Sequence, residues 1–184
     1  MSNILVVIGS ARTGRVADKV LEYIKSDLDK REGVTYTVAD LKETNLPFFE
    51  NESSPTSPEY VITDPQVAAW SEQVKAADAV LFITPEYNHS LSAIQKNAID
   101  SLGPDWVEKP TSAVAYGWSG GALAVLNLRE VLENVKADAK HGMAQLGFMK
   151  DLNPDGSLLD EASVRTQIAT AVDEIVLKVP ALTV

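Results

Sequence analysis

The sequence predicts an α/β fold: a three-layer sandwich of a five-stranded parallel sheet, order 2-1-3-4-5, with helices on both faces. Three observations support this prediction. Short, continuous apolar runs end at turn residues, as strands covered on both faces do. Segments with apolar residues at helical spacing lie between these runs. The two kinds of segment alternate along the chain, which is typical of parallel strands joined by right-handed helical crossovers.

Five segments are predicted to be strands. Residues 4–8 and 79–84 form continuous apolar runs, and residues 112–117 form a third run of this kind. Residues 35–40 alternate polar and β-branched side chains, which is typical of a strand at the edge of a sheet. Residues 144–149 are predicted to be the last strand.

Periodic segments between the strands predict the helices. Over residues 16–28, apolar residues recur at every fourth position. A second helix begins with Asp64, whose carboxylate can accept N–H groups of the first turn, and with Pro65, whose fixed φ suits that turn. The other helices are predicted over residues 91–102, over residues 122–135, and where apolar residues occupy positions 164, 168, 171, 172 and 175.

No linker or internal repeat interrupts the pattern, so residues 1–184 are predicted to form one domain. The segment over residues 47–58, PFFENESSPTSP, contains five polar or charged positions in a row and three prolines. It is predicted to be a long surface loop that acts as a mobile flap rather than a domain boundary.

The composition limits the classes of partner and cofactor. The 184-residue chain carries a formal net charge of −10, which argues against a nucleic acid or an anionic membrane as partner. It has no cysteine, so disulfides, thiolate metal sites and iron–sulfur clusters are excluded. The apolar run near the N-terminus is too short for a signal peptide or a membrane span, so a cytoplasmic protein is expected.

Three unusual loops follow three of the predicted strands. In an open parallel sheet, ligands bind beyond the carboxyl ends of the strands, where the strand order reverses. For the order 2-1-3-4-5 this position lies between the first and third strands. The loops over residues 9–14 and 85–90 flank it, and the loop over residues 116–121 is next to them. The sequence therefore predicts a ligand site formed by these loops.

The first loop, GSARTGR, has the residues of an anion site at the start of a helix. Its small residues let backbone amides approach an anion, and Ser10 and Thr13 add hydroxyl donors. Arg12 and Arg15 can form charge-assisted bonds to a phosphate. The loop has neither a Walker pattern nor a GxGxxG pattern, which favours a single phosphate monoester over a dinucleotide pyrophosphate. The alternative is a solvated turn with two surface arginines.

The second loop, TPEYNHS, has the residues of a site for a flat ring. Pro85 fixes the chain as it leaves the strand, and Tyr87 offers a planar surface. Asn88 and the backbone amides can donate to ring carbonyls, a combination that a buried heterocycle needs. The alternative is a tyrosine in an ordinary turn.

The third loop, YGWSGG, opens another helix, and its glycines permit close approach of the backbone to a ligand. Trp118 is interpreted either as a wall of the site or as an anchor at a subunit interface. His89 lies beside the predicted ring site, whereas His141 is interpreted as structural. The acidic residues lack metal-ligand spacing, so no metal is predicted.

From TPEYNHS through AIQKNAIDSL the sequence resembles the NADPH-dependent FMN reductase family, which includes flavodoxin-like quinone, azo-dye and chromate reductases. GSARTGRV resembles the phosphate loop of that family, and PEYN with KNAID resembles its signature. The resemblance implies a flavodoxin-like fold, bound FMN, and NADPH or NADH as electron donor. It spans nearly the whole chain.

The resemblance also implies roles for individual residues, with the flavin rather than a side chain performing the chemistry. The FMN phosphate would be held by Ser10, Arg12, Arg15 and Val16. The ribityl chain and the isoalloxazine would be lined by Pro85, Glu86, Tyr87 and Asn88. The pyrimidine side of the ring would be closed by Tyr116, Gly117, Ser119 and Gly120.

Relatives of this kind are often dimers or tetramers, so the resemblance implies a homodimer or homotetramer. The helix after Asn88 would contribute to the interface through Ile94, Ala98 and Ile99. Two positions depart from the family pattern: Gln95 stands where leucine is common, and His89 stands where small or aromatic residues are common.

The predicted activity is transfer of electrons from NAD(P)H through FMN to a small oxidised acceptor, in a ping-pong cycle. The alternatives are a flavodoxin-like electron carrier without pyridine-nucleotide turnover, a flavin-sensing module that binds a protein, and a reductase that releases reduced FMN. Acidity suits the carrier, but the paired arginines of the first loop do not.

Overall fold

The computed structural model describes residues 2–139 and 142–176. Its five strands are all parallel and are ordered β2-β1-β3-β4-β5, as the sequence predicts. The strands are β1 (Ser2–Ile8), β2 (Val34–Asp40), β3 (Ala79–Pro85), β4 (Thr111–Gly117) and β5 (Ala144–Gly147).

Helices cover both faces of this sheet, so the predicted three-layer sandwich is confirmed. They are α1 (Ala17–Leu28), α2 (Leu41–Thr44), α3 (Pro65–Ala76), α4 (Ala93–Asp100), α5 (Ala122–Asn134) and α6 (Glu161–Val176), with a short 3-10 helix over Pro104–Trp106. In the described residues, no helix combines the length and the apolar character that a membrane crossing requires.

Alternation along β1 divides the core into two halves. Ile4, Val6 and Ile8 pack toward α1 and α6, whereas Leu5 and Val7 pack toward α3, α4 and α5. All five are 0–3% exposed, because a central parallel strand is covered on both faces.

Two tryptophans fill the half of the core beneath α3 and α4. The rings of Trp70 and Trp106 lie 6.2 Å apart, and Phe82 of β3 lies 6.0 Å from Trp106. Both indole N–H groups donate to carbonyls of α4, Trp70 to Ala98 at 2.8 Å and Trp106 to Ile99 at 3.1 Å. These bonds satisfy buried donors and fix α4 against the sheet.

Two elements near the site are shorter than predicted, and one helix was not predicted. β5 ends at Gly147 rather than at residue 149, because the Asp151 carboxylate accepts the Gly147 N–H at 2.9 Å and turns the chain. α4 begins at Ala93 rather than at residue 91, because the Ser92 hydroxyl caps the helix. The four-residue helix α2 was not predicted; the Asp40 side chain caps it.

The loop between α2 and α3 is anchored to α4. The Asn97 side chain donates to the Pro47 carbonyl at 2.9 Å and accepts the Phe49 N–H at 2.9 Å. The Tyr60 hydroxyl donates to the Ser101 carbonyl at 2.6 Å. The predicted surface loop therefore has fixed points at both ends, and its mobility stays a prediction.

Candidate functional site: a cleft at the carboxyl edge of the sheet

The three predicted loops meet beyond the carboxyl ends of β1, β3 and β4. Their strands end at the same level, since Ile8 pairs with Ile83 and Pro85 pairs with Tyr116. They enclose a cleft of about 250 Å³, a little below the usual range for ligand sites, about 300–1,000 Å³. It is lined by Arg12, Gly14, Arg15, Val16, Pro85, Glu86, Tyr87, Tyr116, Gly117, Trp118, Phe148 and Pro154.

Eight of the predicted site residues line this cleft: Arg12, Arg15, Val16, Pro85, Glu86, Tyr87, Tyr116 and Gly117. The phosphate-side and ring-side residues are close together, because the Arg12 guanidinium lies 5.7 Å from the centre of the Tyr87 ring. The other four predicted residues, Ser10, Asn88, Ser119 and Gly120, lie around the cleft rather than on its walls.

The Arg15 guanidinium is largely committed to the protein, and its predicted contact with the FMN phosphate stays a prediction. A guanidinium carries five N–H donors, and Arg15 uses four of them, on Asp18, on the Ser10 carbonyl and twice on Asp40. The hydrogen bond with Arg15 lowers the pKa of the Asp40 carboxyl, and the same bond raises the pKa of Arg15. Arg15 therefore braces the first loop against the end of β2.

Arg12 is the cation that the first loop leaves available. It is exposed, and no carboxylate within residues 2–139 and 142–176 pairs with it. Val16, the residue before α1, makes no side-chain cap, so the start of this helix has no side-chain acceptor of its own. A free guanidinium beside an uncapped helix start is an arrangement that binds anions.

Ser10 lies beneath the cleft and links its two sides. It is fully buried, and its hydroxyl oxygen is 2.6 Å from the Tyr87 hydroxyl. Tyr116 is 5% exposed, and burial together with the nearby Tyr87 raises the pKa of its phenol, against hydrogen bonds with Ser10 and the Ala17 amide. The hydroxyl groups of Ser10, Tyr87 and Tyr116 thus lie together beneath the cleft and connect its loops.

The second loop is a tight two-residue turn. Tyr87 and Ser90 exchange backbone hydrogen bonds of 2.9 and 3.1 Å, and both central residues are left-handed, Asn88 at φ 49° and His89 at φ 64°. This is the geometry of a type I′ hairpin turn, which asparagine tolerates well. The turn holds the Tyr87 ring at the cleft and leaves Asn88 and His89 exposed.

Glu86 ties the second loop to the third. Its carboxylate accepts the Ser119 hydroxyl at 2.5 Å and the Leu123 N–H at 3.0 Å, so it caps the start of α5. The His89 Nδ1 is 3.7 Å from the same carboxylate. The Ser119 hydroxyl is therefore used by the protein, and its predicted place beside the ring stays a prediction.

Two cleft residues were missed from the sequence. Phe148 follows β5, and its ring lies 6.2 Å from Tyr116 and 5.5 Å from Trp118, the latter edge to face. Pro154 completes the rim. Phe148 could have been found from its place at the end of the fifth strand, next to the third loop.

The comparisons with known proteins agree with this geometry. The family model described as NADPH-dependent FMN reductase matches residues 2–143, a stretch that includes all three loops. The chain belongs to the NADPH-dependent FMN reductase family. It is 33% identical over 148 residues to the NAD(P)H-dependent FMN reductase LOT6 of Saccharomyces cerevisiae, covering 76% of this chain and 78% of LOT6.

Two further relatives extend the comparison for this FMN reductase family member. The NADPH azoreductase of Bacillus sp. is 33% identical over 139 residues, which cover 74% of this chain and 71% of the relative. The solved structure of FerB, a flavoenzyme NAD(P)H:(acceptor) oxidoreductase from Paracoccus denitrificans, superposes with a TM-score of 0.74 at 25% identity. That superposition covers 96% of this chain and 98% of FerB.

Two of the three predicted interface residues lie on the inner face of the helix after Asn88, which corrects that part of the prediction for this FMN reductase family member. Ala98 and Ile99 are 0% exposed within the single chain and pack against the sheet, so neither is available to a partner. Ile94 is partly buried. Gln95 is also fully buried, and its amide donates to the Thr84 hydroxyl at 3.0 Å.

The residues of the cleft suit FMN. A phosphate monoester needs a free cation and backbone donors, which Arg12 and the start of α1 provide. A flat ring needs aromatic and backbone surfaces, which Tyr87, Trp118 and Gly117 provide. In the described part of the chain no cluster of histidine and acidic residues could hold a metal, and His141 lies outside the described residues.

Proposed function

We propose that this cleft holds FMN and that the chain uses it to pass electrons from NAD(P)H to small quinone, azo or chromate-type acceptors, or to free flavin. Membership of the NADPH-dependent FMN reductase family makes the chain an FMN-dependent oxidoreductase with NAD(P)H as donor. The main support for the proposed site is that the Arg12 guanidinium carbon lies 5.7 Å from the centre of the Tyr87 ring. Both residues lie where the strand order reverses.

Each wall of the cleft has a proposed task. Arg12 and the amides around Val16 bind the phosphate, while Ser10 and Arg15 hold the loop in shape from below. Pro85, Tyr87 and Asn88 lie along the ribityl chain and the ring, and Glu86 fixes their loop to α5. The pyrimidine side is closed by Tyr116, Gly117, Ser119 and Gly120.

When bound, FMN supplies the two-electron chemistry, accepting a hydride from the nicotinamide and delivering it to the acceptor. The residues around it bind and orient, and no side chain needs to act as a nucleophile. Trp118 is 74% exposed at the mouth of the cleft, so one face of the site is open to planar molecules. Donor and acceptor are proposed to use that open face in turn, which is a ping-pong cycle.

The acceptor class is supported by the names of the relatives. One relative is an NADPH azoreductase, and another, 34% identical over 112 residues, is the NADPH:quinone oxidoreductase of Arabidopsis thaliana. Quinones and azo dyes are both planar and take up two electrons, so one open aromatic cleft can serve both.

An anaerobic experiment tests the proposed function. The purified protein, loaded with FMN, is mixed with NADPH under nitrogen, and a quinone is then added. Bleaching of the flavin absorption followed by its return supports the proposal, and parallel double-reciprocal plots support the ping-pong cycle. Lack of bleaching by both NADPH and NADH points instead to an electron carrier, and intersecting plots indicate a ternary complex.

The chain is further proposed to be a single flavodoxin-like domain over residues 1–184 that acts in the cytoplasm, where reduced pyridine nucleotide is supplied, as a homodimer or homotetramer. The proposed interface is the outer face of α4: it keeps the predicted Ile94, and the exposed Ala93 and Lys96 take the place of the buried Ala98 and Ile99. Light scattering of the purified protein gives the oligomer size, and a monomeric mass would refute the assembly.

A further inference from the structure

A second cleft adjoins the proposed FMN cleft. It encloses about 300 Å³ and is lined by Gln145, Lys150, Asp151 and Gln167 beside the third loop. Trp118 and Phe148 line both clefts, so the edge-to-face pair of their rings forms a shared wall. A molecule with one end at the FMN ring can therefore reach the second cleft by passing Trp118.

Lys150 gives this second cleft an available positive charge. It is exposed in the turn after β5, and within residues 2–139 and 142–176 no carboxylate forms an ion pair with it. Its stem lies beside Gly147, where the position of a Cβ would be 3.5 Å from the Lys150 Cβ. In a chain with a net charge of −10, an unpaired lysine at the rim of a cleft is a local site for an anion.

The neighbouring Asp151 carboxylate is not available to pair with Lys150, because its oxygens accept hydrogen bonds from other groups. Asp151 is 1% exposed, and its oxygens accept the Gly147 N–H at 2.9 Å, the Ser163 hydroxyl at 2.7 Å and the Gln167 amide at 3.1 Å. These bonds turn the Asp151 charge inward and hold the Lys150 turn in place.

We propose that the second cleft binds the phosphate-bearing adenosine half of the nicotinamide donor, with Lys150 facing a phosphate group and the Trp118 indole beside the adenine. The inference rests on the proposed function, because the nicotinamide end must lie at the FMN ring. It adds a site for the remote half of the donor, which would set affinity for NADPH without touching the reacting atoms.

Steady-state kinetics of Lys150→Gln test the charge. Loss of a charge-assisted contact is expected to raise the KM for NADPH by about fivefold or more, with kcat and the KM for the quinone retained. Lys150→Arg is expected to keep a KM near that of the wild type. Lys30→Gln is the matched control, because it removes the same charge after the C-terminal end of α1, at the opposite edge of the sheet.

NADPH carries a 2′-phosphate and a pyrophosphate, whereas NADH carries only the pyrophosphate. Comparing the KM values for the two donors therefore shows which phosphate group Lys150 faces. A KM increase for NADPH but not NADH places Lys150 at the 2′-phosphate, and equal increases place it at the pyrophosphate. Both results support the proposal. An increase confined to a sulfonated, anionic acceptor would assign the cleft to the acceptor and overturn it.

A binding measurement tests the same cleft without turnover. Trp70 and Trp106 are 0% exposed and Trp118 is 74% exposed, so acrylamide quenching of the FMN-loaded protein reports on Trp118. Adenosine 2′,5′-bisphosphate is expected to protect Trp118 in the wild type, and to protect it less in Lys150→Gln. Absence of protection with an unchanged NADPH KM would overturn the inference while leaving NADPH oxidation, and so the proposed function, intact. Protection without any NADPH oxidation would instead refute the proposed function, and with it the assignment of the second cleft to the nicotinamide donor, while leaving a phosphate-binding cleft at Lys150.

Discussion

Among single residues, the two arginines of the first loop differ in their contacts, although only three positions separate them. Arg15 is held by Asp18, Asp40 and the Ser10 carbonyl, whereas Arg12 lies free over the Tyr87 ring. A guanidinium that is already paired gains little from a phosphate, since its donors are used. We therefore propose that Arg12 supplies the phosphate-binding charge, while the hydrogen bonds of Arg15 hold the loop in shape.

Replacing Asp40 with asparagine is expected to cost about 1–2 kcal/mol of unfolding free energy at pH 7, because Arg15 loses its main partner. The pKa of Asp40 is lower in the folded protein than its ordinary value of about 3.9. The stabilisation is therefore complete above that pH and is lost as the pH falls through the folded pKa.

Urea unfolding at pH 7, 5, 4 and 3 checks this pH dependence, because these values lie on both sides of the ordinary aspartate pKa of about 3.9. The difference between wild type and Asp40→Asn should stay constant down to about pH 4 and then shrink. Glu130→Gln on the exposed side of α5 is the control. A difference that grows in acid would contradict the ion pair.

The hydroxyl bond beneath the cleft can be measured by a double-mutant cycle. Tyr87→Phe and Ser10→Ala each remove one partner of the 2.6 Å contact between the two hydroxyl groups. We expect a coupling energy of about 0.5–1.5 kcal/mol in urea unfolding. If the losses of unfolding free energy in the two single mutants simply add up to the loss in the double mutant, the two hydroxyls do not interact.

At the scale of elements, the third loop depends on a glycine that no other residue can replace without strain. Gly121 has φ 75°, and a Cβ there would stand 2.6 Å from the Ala115 Cβ and 2.9 Å from the Tyr116 nitrogen. The start of α5 therefore lies directly on β4, next to the cleft.

Gly121→Ala is expected to lower the unfolding free energy by about 2–4 kcal/mol, combining left-handed strain with overpacking. Gly33→Ala is the matched control, because Gly33 has φ 74° but no atom within 4 Å of its Cβ position. That control should lose only about 1–2 kcal/mol. Equal losses in urea unfolding would contradict the close contact between α5 and β4.

Local patterns were enough to predict the strands, their order and the meeting of the three loops. They failed where a distant side chain decides the outcome. The partner of Arg15 lies 25 residues away, at the end of β2. The end of β5 depends on Asp151, which the apolar run of residues 144–149 does not reveal. Ala98 and Ile99 face the core because the tryptophan N–H groups hold α4 there.

In the whole molecule, one cleft joins the proposed phosphate-binding loop to the proposed ring-binding loop. The two loops belong to β1 and β3, which are neighbours in the sheet although about 70 residues separate them, since parallel strands need long crossovers. The fold therefore brings Arg12 to Tyr87, and the phosphate and ring of one FMN molecule can bind together.

Titration of the apoprotein with FMN and with riboflavin, which lacks the phosphate, shows whether one cleft binds both parts of the cofactor. Arg12→Met should raise the Kd for FMN about 10-fold or more and leave the Kd for riboflavin unchanged. Tyr87→Leu should weaken both ligands. If Arg12→Met weakened both ligands alike, or neither, the phosphate would not bind at Arg12 and the proposed cleft would be wrong.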